Sequence, residues 1–147
     1  MTDGRAAAEE DLVVAIVPVK ALVGFGSALH DDPWGVGLTE EMVRICLASG
    51  DVLGPEPIAC RIADPMRHAA RIAWLCREGW ADPIVFSAGL PGMGIPPAGW
   101  RFLDGNHRLA AAEFMGMDVV PVLIDGDIDA GLEELLGACG TDAPSPG

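Results

Sequence analysis

The chain has a single lysine, no tyrosine, and no apolar run long enough to cross a bilayer as a helix. Its nine Lys and Arg stand against 22 Asp and Glu, a formal net charge of −13 at pH 7. A protein that grips DNA unaided needs a basic footprint to displace counterions, so this deficit argues against unaided, non-specific nucleic-acid binding. Cys46, Cys60, Cys76 and Cys139 show neither C-x-x-C spacing nor clustering with histidine, which removes any recognisable zinc motif. With no recognisable signal peptide, they are expected to be reduced thiols of a soluble, cytoplasmic protein, Cys46 and Cys76 at helical core positions. No internal repeat is present.

What is there suffices for one core. The 147 residues are half apolar, which predicts a single domain over 12–139, with a flexible N-terminus over 1–11 and a disordered tail over 140–147. Leu12 to Val19 reads as a buried strand that Pro18 ends. A Gly-rich loop, Gly24 to Gly37, holds the cluster His30-Asp31-Asp32, whose Asp residues suit a turn or cap. Thr39 is a helix N-cap, and Gly50 ends that helix. A Pro-interrupted connection with a short strand at 57–62 follows. Asp64-Pro65 starts a second helix, which Gly79 stops. Arg61, Arg67, Arg71 and Arg77 fall with His68 in one region, best read as a solvated helix face. Trp74 and Trp80 read as core or rim packing in preference to base-stacking platforms. Pro83 to Phe86 is a strand, and Ser87 to Gly99, with four glycines and three prolines, reads as a long mobile hairpin loop, a lid or an insertion. The last helix spans Asp127 to Ala138, docking through Leu132, Leu135 and Leu136.

The densest signal lies between Trp100 and Asp127. Arg101 to Leu103 form a short strand, Asp104-Gly105 a turn, Leu109 to Met115 a helix ended by Gly116, and Val119 to Ile124 a buried strand. Asn106, His107 and Arg108 sit where that helix begins. The first backbone N–H groups of a helix carry positive partial charge, Gly105 lets an anion approach the backbone, and two potentially cationic side chains stand beside them. The junction is therefore a candidate phosphate site. Arg108 can donate to a phosphate bidentately, and Asp104 either holds a hydrated Mg²⁺ against the phosphates or caps the helix and orients His107.

The stretch Asp104-Gly105-Asn106-His107-Arg108, with its Ala-rich helix, Gly116 and the strand Val119 to Ile124, resembles the ParB/sulfiredoxin-like superfamily. The resemblance extends back over Asp64 to Gly79 and the segment Trp80 to Phe86, covering about residues 64 to 127, with Val13 to Leu22 as a first strand. It implies an α+β fold, a small mixed sheet with packed helices. It also implies nucleotide binding, with Gly105, Asn106, His107 and Arg108 on the phosphates of ATP or CTP. Sulfiredoxins place a nucleophilic cysteine immediately before the His-Arg pair; Asn106 stands there, and an amide cannot perform thiolate chemistry. The partition proteins' Gly-x-Arg-Arg turn is altered at His107, and no helix-turn-helix region follows. The Asp-Gly-x-His-Arg form is most similar to the kinase and NTPase branches and to ParB-like nucleases. In kinase-like members the catalytic acid comes from the loop after the first strand, which here presents Asp31 and Asp32.

Three functions follow from these residues. The first is an NTPase or phosphotransferase with Asp31, Asp32 or Asp104 as the acid and Mg²⁺ as an admissible ion. The second is a non-catalytic nucleotide or phospho-ligand module acting on a protein partner or as a homodimer. The third is a nuclease, which the acidic surface disfavours.

Overall fold

The computed structural model describes residues 13–54 and 63–137. The expected tails and the strand expected at 57–62 lie outside them, as do Cys60, Arg61 and Cys139. Four strands, β1 (Val14–Pro18), β2 (Ile84–Gly89), β3 (Phe102–Asp104) and β4 (Val119–Gly126), form one mixed sheet in the order β1-β4-β2-β3. β4 runs parallel to β2 and antiparallel to β1, and β2 pairs antiparallel with β3. The α+β class is thus established. The helices are α1 (Val19–Val23), α2 (Glu40–Ser49), α3 (Pro65–Glu78), α4 (Asn106–Met115) and α5 (Ile128–Leu132).

Strand alternation sets the core. Ile84, Phe86 and Ala88 of β2, and Val120, Val122 and Ile124 of β4, point into it together with Phe102 and Val17. On β1 and β4 the alternate positions Val14, Ile16 and Val119 are exposed. α2 packs on α3 and α3 on α4. The helix ends follow local chemistry: Thr39 Oγ1 accepts from Met42 N at 3.3 Å, and Asp64 Oδ1 from Met66 N at 3.0 Å with Pro65 behind it. Gly50 and Gly79 end α2 and α3 as expected. No described helix is long and apolar enough to cross a membrane.

Three expectations change. Val19–Val23 is a helical turn and not the end of the first strand, because so short a mainly apolar run carries too little period to separate the two. β2 continues to Gly89, into the segment expected to be a loop from Ser87. Ser87 N donates to Arg101 O at 2.7 Å, Arg101 Nε to Ser87 O at 2.8 Å, and Ala98 N to Ser87 Oγ at 3.0 Å. These partners outweigh the Gly and Pro content, and Leu90 and Ile95 form a bridge around a 3₁₀ turn at Pro91–Met93. The last helix, expected over Asp127 to Ala138, is not α-helical throughout: Ile128–Leu132, capped by Asp127, passes into a π turn at Glu133–Gly137, and Ala138 lies outside the described residues. Of its docking leucines, Leu135 is buried and Leu132 and Leu136 pack against the core.

Candidate functional site

The chain turns from β3 into α4 at Gly105, which has φ +85°. A Cβ there would lie 3.0 Å from Ile84 Cα and 3.2 Å from an Arg108 guanidinium nitrogen, so both conformation and space require glycine. α4 opens without a side-chain cap; Asp104 Oδ1 accepts from Gly105 N at 2.8 Å, one residue before the helix. Next to this end, between α3 and α4, lies a cavity of about 340 Å³. Asp104, His107 and Arg108 line it from one side, and Arg71, Trp74 and Trp80 from the other.

His107 is not the cation expected. Its Nε2 lies 2.9 Å from His68 Nδ1, and its ring stacks on Trp34 at 4.6 Å and 19° and on His68 at 5.2 Å. Burial pushes its pKa down to about 3, helped by His68 and by the positive charges of Arg71 and Arg108. At neutral pH it is an uncharged imidazole in an aromatic stack.

Arg108 remains a cation at the cavity. One guanidinium nitrogen donates to Pro83 O at 3.1 Å, and another lies 3.7 Å from the exposed Asp82 carboxylate. Asn106 turns its side chain the other way: Oδ1 accepts from Trp100 Nε1 at 2.8 Å and Nδ2 donates to Phe102 O at 3.1 Å. Only its backbone N–H is at the helix start, while its amide ties Trp100 to the turn.

Asp31 and Asp32 are not brought to this cavity. Asp31 Oδ2 accepts from Ser27 N at 2.8 Å, and the two Asp32 oxygens accept from Val36 N at 3.1 Å and Gly37 N at 2.7 Å. Slight burial pushes the Asp32 carboxyl up, but the N–H groups of Gly37, Val36, Leu38 and Gly35 outweigh it and hold it below its ordinary value. Asp32 has φ +52°, a left-handed conformation that Asp tolerates. Both side chains shape the loop that delivers Trp34.

The sequence did not single out Trp34 or Glu113, and placed His68 only in a solvated helix face. His68 is 1 % exposed, which overturns the solvated-face reading for that residue; its spacing to Ile72 and Leu75 on α3 was the available signal. Arg71 likewise reaches inward, donating to Leu53 O at 3.1 Å. Glu113 of α4 accepts from Ser27 Oγ and from Leu29 N, anchoring the Trp34 loop. Burial raises its pKa, opposed by hydrogen bonds from Ser27, Leu29 and Ala28 and by His30. Cys46 and Cys76 are free thiols; burial raises both, with Asp51 adding to Cys46, and takes Cys76 to about 11, so neither is a ready nucleophile.

Among the described residues no group of three or more His, Cys, Asp or Glu side chains is arranged to hold a metal ion. No protein-family model, curated protein or solved structure matches the chain.

Proposed function

We propose that this chain is a ParB/sulfiredoxin-like nucleotide-binding domain that holds the phosphates of ATP or CTP at the start of α4. The observation that carries this reading is the uncapped helix N-terminus behind Gly105, opening beside a cavity with Arg108 at its rim. Backbone N–H groups of Asn106, His107 and Arg108 supply directed donors there, and the Arg108 guanidinium supplies charge. His107 contributes its backbone and a neutral ring. A Mg²⁺ ion suits Asp104 in the way such ions usually bind, through one carboxylate, water and the phosphates themselves.

An NTPase or phosphotransferase needs an acid to position the attacking oxygen, and of Asp31, Asp32 and Asp104 only Asp104 lines the cavity. That placement favours a second reading, a binding module that senses a nucleotide and passes the signal to a protein partner or a second copy. A thermal-shift survey tests the shared claim: ATP or CTP with Mg²⁺ raises the Tm of the protein, and Arg108→Gln, which keeps a donor for Pro83 O, removes most of the shift. Equal shifts in both proteins would defeat the phosphate assignment. Phosphate release by the purified protein then separates enzyme from module.

A further inference from the structure

We infer that the indoles of Trp74 and Trp80 receive the base of the ligand whose phosphates lie against α4, so that the cavity takes a mononucleotide and not a base-free phosphate compound. The inference rests on the phosphate reading above and names the other half of the same ligand.

The cavity is two-sided in its chemistry. Asp104, His107 and Arg108 present polar groups from α4 and the turn before it, whereas α3 and the residues after it bring the apolar side chains of Trp74, Leu75 and Trp80 beside Arg71 and Asp82. Trp74 and Leu75 follow Arg71 by three and four positions on α3, which puts all three on one helix face. Trp80 follows directly on Gly79, the helix end, and closes the wall. Both indoles pack on the core while staying partly exposed, and both border the cavity.

Their surroundings set them apart from the other tryptophans. Trp34 stacks on His107 and lies tilted against His68, and Trp100 meets Phe102 edge-on and donates to Asn106. Among the described residues neither Trp74 nor Trp80 faces another ring. A partly exposed indole without a ring partner, opposite the helix end proposed to hold phosphate, offers an apolar face on which a nucleobase stacks. The volume of about 340 Å³ falls at the small end of ligand pockets, about 300 to 1,000 Å³, a size that suits one nucleotide.

The test uses three probes on the intact protein: ATP or CTP, tripolyphosphate, and the matching nucleoside, read by calorimetry and by quenching of tryptophan fluorescence. Wild-type protein binds the nucleotide more tightly than tripolyphosphate. Trp74→Leu and Trp80→Leu weaken nucleotide binding roughly tenfold to a hundredfold each, the ordinary worth of one stacked base, and leave tripolyphosphate binding unchanged. Trp80→Phe restores most of the loss, which separates stacking from misfolding. Equal affinity for nucleotide and tripolyphosphate, or Leu variants that bind nucleotide normally, overturns the inference while the phosphate reading stands. Nucleoside binding without tripolyphosphate binding supports the tryptophan wall and removes the phosphate reading. No binding of any probe overturns both.

Discussion

Protonation of His107 is the perturbation whose cost the structure defines most clearly. The folded pKa of about 3 lies below the ordinary 6.5, so between those values the unfolded chain binds the proton and the folded chain does not. The sign follows: this group's contribution to stability is fully present above about pH 6.5 and is lost as pH falls towards about 3. At about pH 5.5 an unperturbed histidine is about nine-tenths protonated, so acidification from about pH 7.5 costs about 1.4 kcal/mol through this residue alone. The physical origin is the stack, where a charge on His107 would lose its hydration and meet the fields of Arg71 and Arg108.

Urea unfolding of wild type and His107→Gln over that pH range isolates the term. Glutamine keeps a hydrogen-bonding group within reach of His68 Nδ1 and cannot titrate. Glu113, whose raised pKa gives the opposite slope, is common to both proteins and cancels. The wild type therefore loses about 1.4 kcal/mol more than the variant between about pH 7.5 and about pH 5.5. In the same window the His107 ring proton resonances do not move. Parallel stability profiles, or a His107 resonance that titrates near its ordinary pKa, would refute the buried neutral stack.

Other outcomes are equally specific. Gly105→Ala, with its Cβ 3.0 Å from Ile84 Cα, costs roughly 1 to 3 kcal/mol in urea unfolding and lowers nucleotide affinity, whereas Gly116→Ala, with no heavy atom within 4 Å of its Cβ, costs only about 1 kcal/mol; equal costs would contradict the close approach at Gly105. Trp100→Phe removes the donor to Asn106 Oδ1 and lowers stability by roughly 1 to 3 kcal/mol, the cost of an orphaned polar group; no change would mean that this tie is not formed in solution. Asp32→Ala, which deprives Val36 N and Gly37 N of their acceptor, destabilises by roughly 0.5 to 2 kcal/mol, as lost caps do, and undiminished stability would point away from a structural role. In a gel shift at about 0.15 M salt the protein retains no duplex DNA, since its −13 net charge repels a polyanion; salt-sensitive retention that disappears with Arg67→Ala and Arg71→Ala would show that a local patch dominates.

The sequence was most legible where structure is made over short distances. The caps at Thr39 and Asp64, the helix-ending glycines and the β3-turn-α4-β4 unit each depend on a few neighbouring residues, and they formed where expected. Arg101 shows the limit. It was read as a strand residue, yet its guanidinium lies over Phe86 at 4.5 Å and Phe25 at 5.0 Å, bonds Ser87 O and meets Glu134 at 2.5 Å, joining four parts of the chain. No local pattern encodes such a contact. The site divides in the same way: Gly105 and Arg108 were readable from the turn itself, while Trp34 and His68 reach His107 only through the packing of a loop and of α3 on α4.

That assembled part changes the electrostatics of the site more than its geometry. Had His107 been a cation, the turn would carry two adjacent positive side chains, and the stack with Trp34 and His68 would have to bury one of them at a cost of several kcal/mol. A neutral imidazole removes that cost and lets three rings fix the Trp34 loop to the start of α4. The anion-attracting groups left at the cavity are Arg71, Arg108 and the backbone of α4, with the Asp82 and Asp104 carboxylates beside them. In a protein of net charge −13, such a mixed lining holds a bare polyphosphate only weakly. On the proposed function, a divalent cation, or an apolar group that stacks on the indoles opposite, would shift that balance towards binding, and a magnesium nucleotide would bring both.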